Sequence, residues 1–147
     1  MSVHSNVKHI QEYVYDFAVD GGAVGAIDLS AKVGKNPLPV GSVVLAVTAK
    51  VVTAFTSGGA ATLAWGPTAS ATGYSGTAVA VASLTDNSMW NGQGNGASLI
   101  FDDTQDADKA ANVAVANDGD FKVTIGTAAM TAGKAVFVVE FIKPTLS

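Results

Sequence analysis

Polar and apolar positions alternate with a period of two along much of this chain, which is the spacing of a strand that buries one face. In residues 12–19, Tyr13, Tyr15, Phe17 and Val19 share one face, while Val14, Asp16 and Ala18 share the other. That predicts a half-buried strand. Gly21 and Gly22 punctuate it, and residues 23–29 read as a second strand. A polar stretch follows, where Pro37 and Pro39 exclude a helix. Residues 40–56 are β-branched and predict one long strand, bent or bulged near residues 46–49. Gly58-Gly59 predicts a hairpin turn, residues 60–65 its return strand, and Gly66-Pro67 the stop.

Residues 75–84 are Ala-rich; the alternation of Val79 and Val81 favours a strand there, with a short helix as the alternative. Residues 91–96 read Asn-Gly-Gln-Gly-Asn-Gly and predict a loop. Short strands are expected at residues 98–101 and 111–116, on either side of an acidic stretch. The turn signal Asn117-Asp118-Gly119 precedes a strand at residues 120–126, with Phe121, Val123 and Ile125 on one face. Residues 127–133 read as a connecting loop. In residues 134–143 one face carries Ala135, Phe137, Val139 and Phe141, and the other Val136, Val138, Glu140 and Ile142. Glu140 on an otherwise apolar face predicts either a sheet edge or a face that meets another molecule.

Many short strands and no amphipathic helix give an all-β fold, an antiparallel β-sandwich or jelly-roll-like barrel. Residues 1–11 are polar and patternless and read as an extended N-terminal arm, with one β domain over residues 12–147. No internal repeat or linker divides the chain.

Composition narrows the function. Only 14% of the residues are charged, against about 25% in ordinary domains, and the excess goes to Ala, Val, Gly and Thr. Arg is absent, aromatics make up 7%, and the net charge is -4. Nucleic acid and anionic membrane surfaces are therefore poor partners. The first ten residues lack the basic-then-apolar order of a signal peptide, and no run is long and apolar enough for a helical membrane span. A soluble, unexported protein is expected. With no Cys there is no disulfide or thiolate site.

Chemistry is hard to place on such a chain. The only histidines, His4 and His9, fall in the arm, and no nucleophile elbow, zinc or phosphate motif occurs. No catalytic residue and no cofactor is expected. Asp102, Asp103, Asp106 and Asp108 are the candidates for calcium, with Asp118 and Asp120 as possible additions. Their spacing lacks the Gly and bidentate Glu of an EF-hand, so a solvated acidic loop without a tightly held ion is the expectation. Gly92, Gly94 and Gly96 do not match the dinucleotide fingerprint. Trp65, Trp90 and Tyr74 form a candidate ligand platform, although Trp65 at a strand end is more usually a core or interface plug. So little charge also leaves few ways to blunt exposed edges, which points to oligomerisation or docking onto a lattice.

Four segments carry a resemblance: Tyr13-Val-Tyr-Asp-Phe-Ala-Val-Asp-Gly-Gly-Ala, Leu38-Pro-Val-Gly-Ser-Val-Val, Gly58-Gly59-Ala-Ala-Thr-Leu-Ala-Trp-Gly66, and Thr131-Ala-Gly-Lys-Ala-Val-Phe-Val-Val-Glu-Phe-Ile142. In style and order, over about three quarters of the chain, they resemble small virion structural proteins of tailed bacteriophages, particularly head decoration or cement proteins. The resemblance implies a non-enzymatic protein, made in the host cytoplasm, on the outer surface of the virion capsid. Its partner would be the major capsid protein, whose subunits it would tie together, commonly as a homotrimer. The arm would lie on the capsid, with Val3, His4, Val7, His9 and Ile10 as contacts. Two other readings remain: a tail or head-fibre base component, and a β-sandwich module binding carbohydrate or a cell surface.

Overall fold

Eight antiparallel strands form in the computed structural model, which describes residues 7–39, 42–68, 70–91 and 119–142. They are β1 (His9–Asp16), β2 (Gly25–Asp28), β3 (Val43–Ser57), β4 (Thr62–Gly66), β5 (Val79–Ala80), β6 (Met89–Trp90), β7 (Lys122–Gly126) and β8 (Met130–Ile142). Helix is confined, among the described residues, to the four-residue turn α1 (Phe17–Asp20) and 3₁₀ turns at Leu29–Ala31 and Val81–Ser83. The fold is all-β, as the alternation predicts.

The pairing is nested. β4 pairs with β5, β3 with β6, β2 with β7 and β1 with β8, so the chain forms one long ribbon of antiparallel partners. Two further pairings, β3 with β8 and β4 with β7, fold that ribbon into two four-stranded sheets. Their orders are β1-β8-β3-β6 and β2-β7-β4-β5. This is the strand order of an eight-stranded jelly roll, the more specific of the two architectures expected.

The core lies between the sheets. Tyr13, Tyr15, Val47, Val51, Phe137 and Val139 point inward from the first sheet, and Leu63, Trp65, Val123 and Ile125 from the second. At the centre the Phe121 ring stacks on Tyr13 with centroids 4.9 Å apart and on Tyr74 at 5.5 Å, and tilts against Phe137 at 5.1 Å. Trp65 in turn tilts against Phe137 at 5.2 Å. The Phe121 backbone is gripped from both sides: its carbonyl accepts from Leu29 N (2.8 Å) and its N–H donates to Ser30 Oγ (3.2 Å). Close by, Gly119 O accepts from Leu38 N, and a Cβ at Gly119 would run into the Leu38 backbone. Only glycine fits there.

Several local expectations change. The first strand ends at Asp16 rather than Val19, because the Asp16 carboxylate accepts from Ala18 N (3.0 Å) and caps α1, while Gly21 N closes the turn on Phe17 O. The strand also begins at His9, so His9, Ile10 and Gln11 pair with Phe141, Glu140 and Val139 instead of belonging to the arm. Gly58-Gly59 makes a corner between sheets and not a hairpin, since β3 and β4 lie in different sheets. β8 starts at Met130, inside the segment expected to be a loop, because Thr131 and its neighbours face the end of β3. The expected strand in residues 75–84 shrinks to β5 followed by a 3₁₀ turn. The expected strands at residues 98–101 and 111–116, and the loop at residues 92–96, lie outside the described residues.

Register shifts in β3 fall between Val44 and Ala46 and again from Val51 to Ser57. A bulge leaves backbone groups without ladder partners. Residues 84–88 supply them: Leu84 O accepts from Phe55 N (3.0 Å), Ser88 O from Val51 N (2.9 Å), and Asp86 Oδ1 from Ala54 N (2.5 Å). Opposite the bulge, Gly133 adopts φ +143°, and the Phe55 ring occupies the place of its missing Cβ, 2.5 Å from it.

Both strand tyrosines tie a connection to the core. Tyr13 donates to Asn36 O (2.7 Å) and Tyr15 to Gly21 O (2.6 Å). Burial, with Asp28 and Asp120 adding negative charge nearby, raises the Tyr13 hydroxyl far above its ordinary range. Burial, with Asp20 and Asp16, pushes Tyr15 up to about 12.

Two outcomes follow from this core. Phe121→Ala should lower folding stability by about 3–5 kcal/mol, read from urea unfolding, because truncation leaves a cavity among three rings; a loss under ~1 kcal/mol would show that the stack is dispensable. Unfolded tyrosine ionises near pH 10. Because the folded values are raised, stability should be undiminished below pH 10 and fall as pH climbs toward 12. Urea midpoints at pH 8 and 11 check this, and Tyr15→Phe should flatten the difference.

Candidate interaction surface

No described cluster of three or more His, Asp or Glu side chains is arranged to hold a metal. His9 lies on β1 with its ring stacked on Phe141 at 5.4 Å. Asp120 is already engaged, accepting from Thr68 N and Oγ1 and facing Lys122 Nζ at 3.6 Å. Asp102, Asp103, Asp106, Asp108 and Asp118 lie outside the described residues, as do Val3 and His4. Val7 is exposed just ahead of β1, and Ile10 is exposed on it.

The candidate ligand platform disperses. Trp65 and Tyr74 are fully buried in the core, and Trp90 is half-buried with its Nε1 donating to Ser75 O (3.2 Å). None of the ten described aromatic side chains is exposed. An open groove of about 400 Å³ at the β6 edge has Thr48, Met89, Trp90 and Asn91 among its lining.

What the fold does present is a pair of unlike sheet surfaces. Strand register fixes the outer face of the β1-β8-β3-β6 sheet row by row. Ile10, Glu140 and Ala46 form one row. Glu12, Val138 and Thr48 form the next, and Val14, Val136, Lys50 and Met89 the third. Val43 opposite Ile142 extends the stripe at one end. Ile10 is 62% exposed and Met89 66%, although both are apolar. The outer face of the other sheet reads differently: Ala26 opposite Thr124 and Ala64, Asp28 opposite Lys122, and Thr62 opposite Ala80. One surface is small and polar; the other is a Val/Ile stripe.

Glu140 sits within that stripe. β8 runs between β1 and β3, so the alternative that Glu140 marks a sheet edge is overturned. Its carboxylate instead pairs with Lys8 Nζ at 2.9 Å, where the chain enters β1. This exposed pair contributes little stability, about 0–1 kcal/mol.

The true edge, β1, is half closed. Lys32 Nζ donates to Val14 O (2.8 Å) and to Asp20 Oδ2 (3.0 Å), and the same carboxylate oxygen accepts from Asp16 N (2.9 Å). A strand edge left bare invites another chain to pair with it. A half-buried ion pair closes this one at its C-terminal half.

The sequence pointed to the β8 face through its alternation. It gave no sign of Ile10, Thr48, Lys50 and Met89 as neighbours on that face, because register joins residues far apart in the chain. The Lys32–Asp20 clamp was equally hidden, lying across a connection with no periodicity.

The strand order defines the class: an eight-stranded jelly roll with a filled interior. Two solved structures share it. One is a chain of the cyanophage Pam1 capsid asymmetric unit, at TM-score 0.52 and 17% identity, covering 93% of this chain and 85% of that one. The other is a chain in the capsid structure of the Helicobacter pylori bacteriophage KHP30, at TM-score 0.52 and 13% identity, covering 95% and 90%. At these identities the likeness is one of fold. No protein-family model and no curated protein matches the sequence.

Lys32→Met should expose the β1 edge and strand the Asp20 carboxylate without its cation. The expected result is a loss of about 1–3 kcal/mol in urea unfolding together with concentration-dependent association by light scattering. A variant as stable and as dispersed as the parent would show that Lys32 does not guard the edge.

Proposed function

We propose that this chain is a non-enzymatic structural protein of a phage virion, which binds the outside of the capsid and stabilises contacts between major capsid subunits. The observation that carries the reading is the jelly roll itself, aligned over most of its length with chains from two phage capsid structures. Jelly rolls also serve lectins and cupins. The buried aromatics leave no exposed ring platform for a sugar among the described residues. Nor do those residues offer the ligand cluster a cupin metal would need.

The mechanism is mechanical. Packaged genome strains a shell, and a subunit bridging neighbouring shell proteins adds interface that exists only in the assembled state. Each contact can be modest, on the order of 800 Å² per partner, because the lattice repeats it. A homotrimer suits this task, since three copies related by symmetry reach three neighbours at once. In this reading the residues ahead of β1 lead onto the shell through Val3, His4 and Val7, with His9 and Ile10 at the start of the strand.

Heads prepared with and without the protein, then heated while DNA release is followed, test the proposal. Heads lacking it should open at a lower temperature, and purified protein added back should restore the difference. Equal opening temperatures would refute the role and favour a tail or head-fibre position.

A further inference from the structure

The apolar outer face of the β1-β8-β3-β6 sheet has no counterpart on the opposite sheet, and the fold does not require it. Residues facing the core fix a strand's position, whereas outward residues are free to be polar in an antiparallel sheet. On the second sheet they are Thr, Ala, Lys and Asp. On the first, Ile10, Val14, Val136, Val138, Ile142 and Val43 adjoin one another across β1, β8 and β3, with Glu140 among them and Lys50 between Val136 and Met89 of β6. Of the nine large apolar side chains exposed among the described residues, Ile10, Val43, Leu45, Val52 and Met89 belong to this sheet, and Val7, Val19, Val24 and Val33 lie outside the strands. A contiguous patch of this kind marks an interaction site.

We infer that this face docks on the capsid shell, an inference that rests on the virion reading above and names the surface that reading left open. Area decides between the shell and a second copy. Four strands at about 4.8 Å spacing and six to seven residues at about 3.4 Å give a flat patch on the order of 400 Å². A persistent free dimer needs roughly 800 Å² per partner. The face alone falls short of that, but it suffices when copies bind side by side on a lattice.

Chain continuity adds to the area on the same side. His9 lies opposite Phe141, so residues 1–6 and 143–147 both continue from the corner that bears Ile10, Glu140 and Ile142. Charge describes the partner. Glu12 stands on the β1 flank of the patch, Lys50 on β3 toward the β6 side, and Glu140 between them is paired with Lys8. The complementary shell surface is a flat patch of small apolar residues, with a basic group on one side and an acidic group on the other.

The test uses heads lacking this protein and the full chain, either wild type or substituted. Ile10→Lys with Val138→Lys places charge at the centre of the patch. Ile10→Lys with Met89→Lys does so at two positions already open to solvent, where folding is insensitive. Thr124→Lys charges the opposite sheet as a control. Both face variants should bind heads at least tenfold more weakly than wild type, with unchanged solution mass, and the Met89 variant with an unchanged melting temperature. Thr124→Lys should bind as wild type does. Face variants that bind normally overturn the assignment while leaving the virion reading intact. Wild-type protein that does not bind heads overturns both. A face variant that falls apart into smaller species in solution shows that a second copy covers the patch, and also overturns the assignment.

Discussion

Phe121 holds the two sheets together. Its ring lies between Tyr13, from the first sheet, and Tyr74, from the connection after β4, and leans on Phe137 from the centre of β8. Aromatic pairs in such geometries contribute about 0.5–1.5 kcal/mol beyond the area they bury. Here one ring makes three. The consequences spread outward through the partners. Tyr13 carries the cluster to the connection at Asn36, and Leu29 and Ser30 clamp the Phe121 backbone so that the ring cannot slide along its strand. A chain with only 7% aromatic residues has gathered Tyr13, Trp65, Tyr74, Phe121 and Phe137 around this one junction. The small residues elsewhere let the sheets approach closely around it.

A nested ribbon makes every strand depend on a partner far away in sequence, and the innermost pairs are short. β5 and β6 have two residues each, whereas β3 and β8 run for fifteen and thirteen. The long pair is therefore the spine, and its irregularities are where the structure is most exacting. The bulged half of β3 is closed by residues 84–88 and by Phe55 lying over Gly133. Sheet edges receive similar care. Lys32 and Asp20 occupy the outward backbone groups of Val14 and Asp16, so β1 presents a bare edge over its N-terminal half alone. Short strands at β5 and β6 leave little edge to guard.

How much of this was legible follows from what each signal reports. Period-two alternation reports burial, so β1, β7 and β8 could be read with their inward residues, including Tyr13, Phe121 and Phe137. It reports nothing about partners. Gly58-Gly59 announces a reversal and looks like a hairpin, yet which sheet receives the next strand is settled by β7 and β8, some sixty residues further on. Alternation also runs on through Phe17 and Val19, where the Asp16 cap quietly turns strand into α1. Two-residue strands carry almost no period, which is why β5 showed only as an overlong strand over residues 75–84 and β6 did not show at all. The candidate surface was half legible for the same reason: the outward row of β8 showed in the sequence, while its neighbours on β1, β3 and β6 needed the register.

Period two also separates the demands made on a strand's two sides. Inward residues are fixed by the ring cluster, and changing one disturbs the fold. Outward residues answer only to what lies outside. Both sheets share that freedom where their outer rows reach solvent, although Ala64 and Gly66 of the second sheet are themselves covered, so the exposed rows would converge if water were the only thing they met. They do not converge. The second sheet shows Thr, Ala and a Lys–Asp row, and the first shows Val, Ile and Met in adjoining rows, with Glu12 at the β1 edge, Glu140 inside the stripe and Lys50 between Val136 and Met89. Leaving that stripe bare adds nothing to folding and costs solubility in a chain that carries little charge to begin with. The docking proposed for the first sheet accounts for that unevenness.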